Sequence, residues 1–363
     1  MKFLIRADGS TQMGSGHISR CLTLATRLTE RGGEVQFICR EHEGHLNEYI
    51  ESKGFIAHGI PLRNVSVSSL DEPVLDQHLW VGSTWQEDAQ DCEPIVAAYR
   101  PDWMIVDHYG LDFRWQNQLR SGFGKLMVID DMANRFHHCD LLLDQTYGRQ
   151  KKDYQPWVPP EAVLALGSNY SLLRPEFAQW REASLSYRSK STLDRVFINM
   201  GGVDPENVTG QLLEALSTAS LPKSLHLTVV LGATAPWIEQ VRDVAKQLYC
   251  QVEIVVGAEN MAELMSSCDL ALGAAGSTTW ERCCLGLPSI VFVLSDNQAQ
   301  IARWLEEAGA VINVAFPENL SHLVQQVIPE LVAHPERLNP MIQASKQITD
   351  GRGCDVVCDL LER

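Results

Sequence analysis

The chain has 363 residues, 45% of them hydrophobic and 21% charged, a composition that excludes a disordered or collagen-like protein. Single cores stop growing at about 250–300 residues, so this length predicts two domains with a cleft between them. A formal net charge of −16 excludes a nucleic-acid binder, which needs a basic face to displace counterions, and disfavours a role at a membrane surface.

In chain order, Lys2 to Arg6 reads as a first strand, with none of the longer apolar stretch and small-residue cleavage site of a signal peptide. No run of about 18 or more apolar residues follows, so no membrane span is expected and a cytoplasmic location is. The turn Met13-Gly-Ser-Gly-His-Ile feeds a helix predicted from about Ile18 to Arg31, which Gly32-Gly33 ends. Val35 to Cys39 reads as a strand, His45 to Lys53 as a helix and Phe55 to Ile60 as a strand, a βαβαβ order. Trp103-Met-Ile-Val-Asp-His and Leu126-Met-Val-Ile-Asp-Asp are apolar runs ending in acids, with a helical segment Phe113 to Leu119 between them. Such runs read as buried parallel strands with functional polar tips.

A second series starts after Arg195, with the strand Val196 to Met200, the turn Gly201-Gly-Val-Asp-Pro-Glu-Asn and a helix from Val208 to Ser217. His226 to Leu231, Val252 to Val256, Leu270 to Leu272 and Ser289 to Val293 supply further strands. The Gly, Asn and Pro of the stretch Gly167 to Phe177 fit a connection. The expected division is therefore an N-terminal Rossmann-like domain at 1–175, a second at 176–345, and a terminal helix at 346–363 packing back on the first. The ten cysteines are scattered, without paired CxxC spacing, and read as buried reduced thiols and not as zinc or redox ligands.

Two turns carry the chemistry. In Asp8-Gly-Ser-Thr-Gln-Met-Gly14-Ser15-Gly16-His17, the glycines let backbone approach a ligand, and His17 stands at a helix N-terminus. The partial positive charge there disfavours imidazolium, so His17 is expected neutral at about pH 7 and able to act as a general base. Ser19 stands where a dinucleotide fingerprint has its third glycine, and no GxxxxGK[ST] sequence occurs; no cofactor is expected. In Gly273-Ala-Ala-Gly276-Ser277-Thr278-Thr-Trp-Glu281, the amides and hydroxyls at 276–278 suit a diphosphate, and Glu281 suits both hydroxyls of a ribose. A helix merely capped by Ser277 or Thr278 is the alternative reading. Asn199, Gly201, Gly202 and Asp204 form another turn at a strand end, and Asp296-Asn297-Gln298 follows a further strand. The net charge opposes an anionic nucleotide sugar, so its attraction must come from local groups such as backbone amides.

The stretch from Gly273 to Pro288, followed by Asp296-Asn-Gln, resembles the UDP-binding half of GT-B glycosyltransferases such as MurG. Further motifs are Arg6-Ala-Asp-Gly-Ser, Gly14-Ser-Gly-His-Ile-Ser-Arg20, Val106-Asp-His-Tyr-Gly-Leu-Asp112, Ile129-Asp-Asp-Met-Ala-Asn-Arg135 and Leu172-Leu-Arg-Pro-Glu-Phe177. With them the chain resembles the PseG family over most of its length. The resemblance implies an α/β protein of the GT-B fold, two Rossmann-like domains with parallel sheets facing across a cleft. It also implies hydrolysis of UDP-2,4-diacetamido-2,4,6-trideoxy-β-L-altropyranose to UDP and free sugar, in pseudaminic acid biosynthesis, by inverting water attack at C1. On that basis His17 is the base, Glu281 the ribose acid, and Tyr109 and Arg174 lie near the sugar. No metal is expected, although the pair Asp130-Asp131 is the feature that would suit one. Residues 62–93 are extra relative to the compact form of the family and suit a lid or a partner surface. A GT-B glycosyltransferase using a UDP-amino sugar donor and a non-catalytic nucleotide-sugar sensor are the alternatives.

Overall fold

The computed structural model describes residues 1–63, 80–190, 193–219 and 221–363. It divides into two compact units, Met1–Leu172 with Gly353–Arg363, and Leu173–Arg352. Among the described residues no helix is long and apolar enough to cross a membrane.

The first unit is built on seven parallel strands in the order β3-β2-β1-β4-β5-β6-β7. These are β1 Lys2–Ala7, β2 Glu34–Arg40, β3 Ile56–Ile60, β4 Trp103–Asp107, β5 Lys125–Ile129, β6 Leu141–Asp144 and β7 Val163–Leu166. Helices cover both faces, which is why the central strands are apolar at successive positions instead of alternating. Phe3, Ile5, Ile105 and Met127 pack on one face with the helices Gly16–Glu30 and Gly353–Leu361. Leu4, Met104, Val106 and Val128 pack on the other with the helices Trp85–Tyr99 and Phe113–Leu119. The C-terminal helix is fastened by Arg27 to Asp355 (2.5 Å), by Arg31 to Asp359 (2.6 Å), and by Trp103 Nε1 donating to the Leu361 carbonyl (2.8 Å). The preceding helix, Asn339–Ile348, belongs to the second unit.

The second unit repeats the plan with six parallel strands in the order β10-β9-β8-β11-β12-β13. They are β8 Arg195–Asn199, β9 His226–Leu231, β10 Gln251–Val256, β11 Leu270–Ala274, β12 Ser289–Phe292 and β13 Val311–Val314. β6, β7 and β13 were not anticipated from sequence: each is four residues long, too short for a period to declare itself. The two ends of the His17 helix differ from expectation by one or two residues, because it starts at Gly16 and ends at Glu30. All ten cysteines are free and nine of them are buried.

Beneath the functional edge of the first sheet lies a buried ion cluster. Arg6, at the end of β1, is fully buried and pairs with Asp8 and with Asp88 (2.7 Å). Asp88 also accepts from Arg40 Nη2 (2.8 Å) and Trp115 Nε1 (2.8 Å). Of the extra segment 62–93, residues 64–79 lie outside the described residues, while the helix Trp85–Tyr99 delivers Asp88. Asp88 is thus the shared counter-ion of two guanidiniums, and its carboxyl is held below the usual range because the two arginines outweigh burial. Losing one partner of a buried ion pair costs about 3–5 kcal/mol. Asp88→Asn should therefore lower stability by roughly that amount, read as a lower urea midpoint. An unchanged midpoint would contradict the role given to Asp88.

Candidate active site and nucleotide site

In an open parallel sheet the ligand crevice forms where the strand order reverses, outside the carboxyl ends of the strands. In the first unit that point lies between β1 and β4. The turn after β1 is closed on itself: Ser10 and Gly14 exchange backbone hydrogen bonds, and the Ser10 hydroxyl accepts from the Gln12 and Met13 amides. Gly14 has φ of 75°, a left-handed conformation that favours glycine. Ser15 occupies the N-cap of the Gly16–Glu30 helix without a side-chain cap bond, so the turn brings His17 to the β4 tip in the helix's first turn.

His17 Nδ1 lies 2.7 Å from Asp107 Oδ1. Asp107 ends β4, is fully buried, and receives Arg20 on both oxygens, Nε to Oδ2 and Nη2 to Oδ1, each at 2.7 Å. Burial opposes ionisation of Asp107, but Arg20 and then His17 outweigh it and hold the carboxyl well below the usual carboxylate range. An ionised carboxylate can only accept, so the proton on Nδ1 lies towards Asp107, and in a neutral ring Nε2 carries the lone pair. Arg20 also reaches Asp131 (Nη1 to Oδ2, 2.7 Å), and the Tyr109 hydroxyl donates to the same oxygen (2.8 Å). The ring of Tyr109 meets that of His17 edge-on at 4.7 Å between centroids. Burial, then the charge of Asp131, pushes the Tyr109 hydroxyl well above its ordinary range, so it is a hydrogen-bond donor and not a base.

The structure therefore brings His17 and Tyr109 together with Gly14, Ser15 and Gly16 alongside. Asp107 and Arg20 stood within the family motifs without a site role, and Asp131 only as half of a pair that would suit a metal. The available signal was the acid closing the apolar run of β4. The acids of the pair Asp130-Asp131 already have internal partners: Asp130 accepts from the Ala133 amide and the Tyr154 hydroxyl, and Asp131 from Arg20 and Tyr109.

In the second unit the reversal lies between β8 and β11. Asn199 ends β8, with Nδ2 donating to the Val230 carbonyl (2.9 Å) and Oδ1 buried without a donor. Gly201 and Gly202 follow it, and Asp204 caps the next helix by accepting from the Val208 and Thr209 amides. β11 runs into Gly276, Ser277 and Thr278. Ser277 makes no side-chain cap bond, so capping does not account for its hydroxyl. At the β12 end, Gln298 Oε1 accepts from the Leu294 amide (3.0 Å) and Asn297 Oδ1 from the Ser295 hydroxyl (2.6 Å). Gln298 Nε2 reaches towards Gly276, 3.8 Å from where a Cβ would stand.

Glu281 is largely buried, and burial pushes its carboxyl up to about 7, with Arg174 and Arg282 pulling the other way and Glu176 adding to the rise. Arg174 belongs to this unit. Its Nη1 donates to the Glu259 carbonyl (3.1 Å) and pairs with Glu176 (3.1 Å), while Nη2 is 3.9 Å from Glu281 Oε1. It is a neighbour of the candidate ribose acid, in the unit that does not contain His17 and Tyr109.

Residues 201–352 match the family model of the glycosyltransferase family 28 C-terminal domain. The chain is 27% identical over 317 residues to the UDP-2,4-diacetamido-2,4,6-trideoxy-beta-L-altropyranose hydrolase of Campylobacter jejuni, covering 87% of this chain and 100% of that protein. It is 22% identical over 362 residues to the spore coat polysaccharide biosynthesis protein SpsG of Bacillus subtilis, covering 99% of this chain and 97% of that protein. Among solved structures it is similar to Acinetobacter baumannii MurG, with a TM-score of 0.70, 15% identity and 99% of each chain covered. The resemblance to the PseG family carried by the motifs is thus matched along the chain. The protein is an α/β protein of the GT-B fold, whose second unit is similar to the glycosyltransferase family 28 C-terminal domain over residues 201–352.

Proposed function

We propose that the protein hydrolyses a UDP-linked diacetamido-trideoxy sugar, UDP-2,4-diacetamido-2,4,6-trideoxy-β-L-altropyranose, to UDP and the free sugar, with His17 as the general base. The observation that carries this reading is the hydrogen bond between His17 Nδ1 and the buried, ionised Asp107. It turns Nδ1–H towards Asp107 and leaves Nε2 as the ring's proton acceptor at the reversal point of the first sheet. Similarity to the Campylobacter hydrolase over 87% of the chain supports the substrate class.

The step is a displacement at C1. His17 Nε2 takes a proton from water, the water oxygen bonds to C1 on the face opposite the nucleotide, and the C1–O bond breaks with its electron pair passing to UDP. Inversion follows from attack on the opposite face. Asp107 stabilises the imidazolium formed in that step, and Arg20 keeps Asp107 ionised and oriented. In the second unit the amides of Gly276, Ser277 and Thr278, with Gly201 and Gly202, take the diphosphate, Glu281 the ribose, and Asn199, Asn297 and Gln298 line the same strand ends. Arg174 acts beside Glu281. No metal enters the scheme.

The family 28 match favours one other reading, transfer of the sugar to an acceptor hydroxyl in place of water. Free sugar appearing from UDP-sugar without any acceptor, followed by NMR, separates the two. In that assay His17→Asn should lose about 10²–10⁴-fold in kcat while UDP affinity is kept. Asp107→Asn should lose a similar factor, because an amide that donates to Nδ1 moves the ring proton to Nε2. The double variant should lose little more than either alone. Full activity in His17→Asn would end the assignment.

Glu281 adds a pH dependence that can be measured with uridine, which has no phosphate to titrate. If the ionised carboxylate accepts the ribose hydroxyls, affinity should rise with pH through about 7, where Glu281 loses its proton. Glu281→Gln should bind weakly and without that slope. A wild-type affinity that falls over the same range would contradict the ribose role.

A further inference from the structure

Arg282 follows the candidate ribose acid and turns inward beneath the strand end. Its side chain is 1% exposed. Nη2 donates to the Ala274 carbonyl (2.7 Å) and the Thr279 hydroxyl (2.8 Å), and Nε has no acceptor. A Cβ on Gly273 would collide with Nη1 and with the Asn199 carbonyl. The guanidinium thus lies against the ends of β8 and β11, at the point where strand order reverses. Its hydrogen-bond partners are both neutral, and among the described residues the adjacent Glu281 acts on it through space without a hydrogen bond to it.

Burying a charge without an opposite one costs several kcal/mol in effect, and the other arginines of this unit show how that is avoided. Arg174 lies between Glu176 and Glu281. Arg188, 3% exposed, donates to the carbonyls of Ser184, Leu285, Met265 and Cys268 and to the Ser184 hydroxyl. Three of those carbonyls stand at or just past helix C-termini, where partial negative charge collects. Arg282 has two acceptors and no such ring. Burial pushes it down to about 10, which leaves it charged at neutral pH. In a chain of net charge −16, it is a cation held in a low dielectric, where its field is least screened.

We propose that Arg282 is the buried countercharge for the diphosphate of a nucleoside diphosphate, acting through the Gly273–Gly276 turn that it braces. This rests on the nucleotide reading of that turn. Arg282 does not touch the ligand; it is a positioning and electrostatic residue, and the anion adds to the through-space compensation that Glu281 gives it in the free protein.

The test is calorimetric titration of wild type, Arg282→Lys and Arg282→Gln with UDP and with uridine at low and high salt. Lysine keeps the charge, and glutamine keeps a donor for the Ala274 carbonyl without it. The expected result is uridine affinity within about twofold in all three, and a UDP affinity reduced about tenfold or more in Arg282→Gln but largely kept in Arg282→Lys. Equal losses of UDP and uridine affinity, a glutamine variant that keeps UDP, or loss of uridine binding in both variants would overturn the charge role. A wild type that binds neither compound refutes the nucleotide reading itself, an outcome separable from any of these.

Discussion

The carboxylate of Asp107 is the contact on which the rest of the first unit's edge is arranged. It is buried at the tip of a central strand, where ionisation is opposed, and it stays ionised because Arg20 occupies both of its oxygens. One of those oxygens is shared with His17. His17 and Arg20 are three residues apart, on one face of a single helix, so a single carboxylate fixes the rotation of that helix against the sheet and the orientation of the imidazole together. Tyr109 and Asp131 close the ring from the other side, so neither partner can turn without breaking a second contact.

Both units place their candidate residues at the same topological position. β1 and β4 diverge in the first sheet and β8 and β11 in the second, and each gap is bordered by a turn that leads into a helix. What differs is how charge is balanced. The first unit holds its ions as internal pairs, Arg6 with Asp8 and Asp88, and Arg20 with Asp107 and Asp131. The second leaves Arg282 with no carboxylate in hydrogen-bond contact, Glu281 acting on it only through space. An edge whose ions are paired with carboxylates in excess suits a group that must accept a proton from water, and an edge with a cation held out of contact with any carboxylate suits an anionic leaving group.

Much of this was legible in the sequence, because long apolar runs and glycine-marked turns are local signals. Phe113–Leu119, Val208–Ser217 and His226–Leu231 stand where the pattern put them. β6, β7 and β13 escaped although β12, equally short, did not, because four residues carry no period and only some such runs stand out by their apolar content. The site was legible as turns but not as contacts. His17 could be read from its glycines, whereas its partner Asp107 lies 90 residues away in sequence and only the sheet order brings them together. Gly273 was read only as the start of a small-residue turn, and the structure gives it a reason of its own: a side chain there would displace Arg282. The pull on an anionic ligand was sought in local groups such as backbone amides, and no pattern marks an arginine as buried out of contact with any carboxylate.

The central claim, that water activated by His17 attacks C1 of a nucleotide sugar, is tested most directly by running the reaction in ¹⁸O-labelled water and following the products by NMR and mass spectrometry. The account predicts the label in the C1 hydroxyl of the released sugar and an initial product of inverted anomeric configuration. Label in UDP, which requires attack at phosphorus, or an initial product of retained configuration would contradict it.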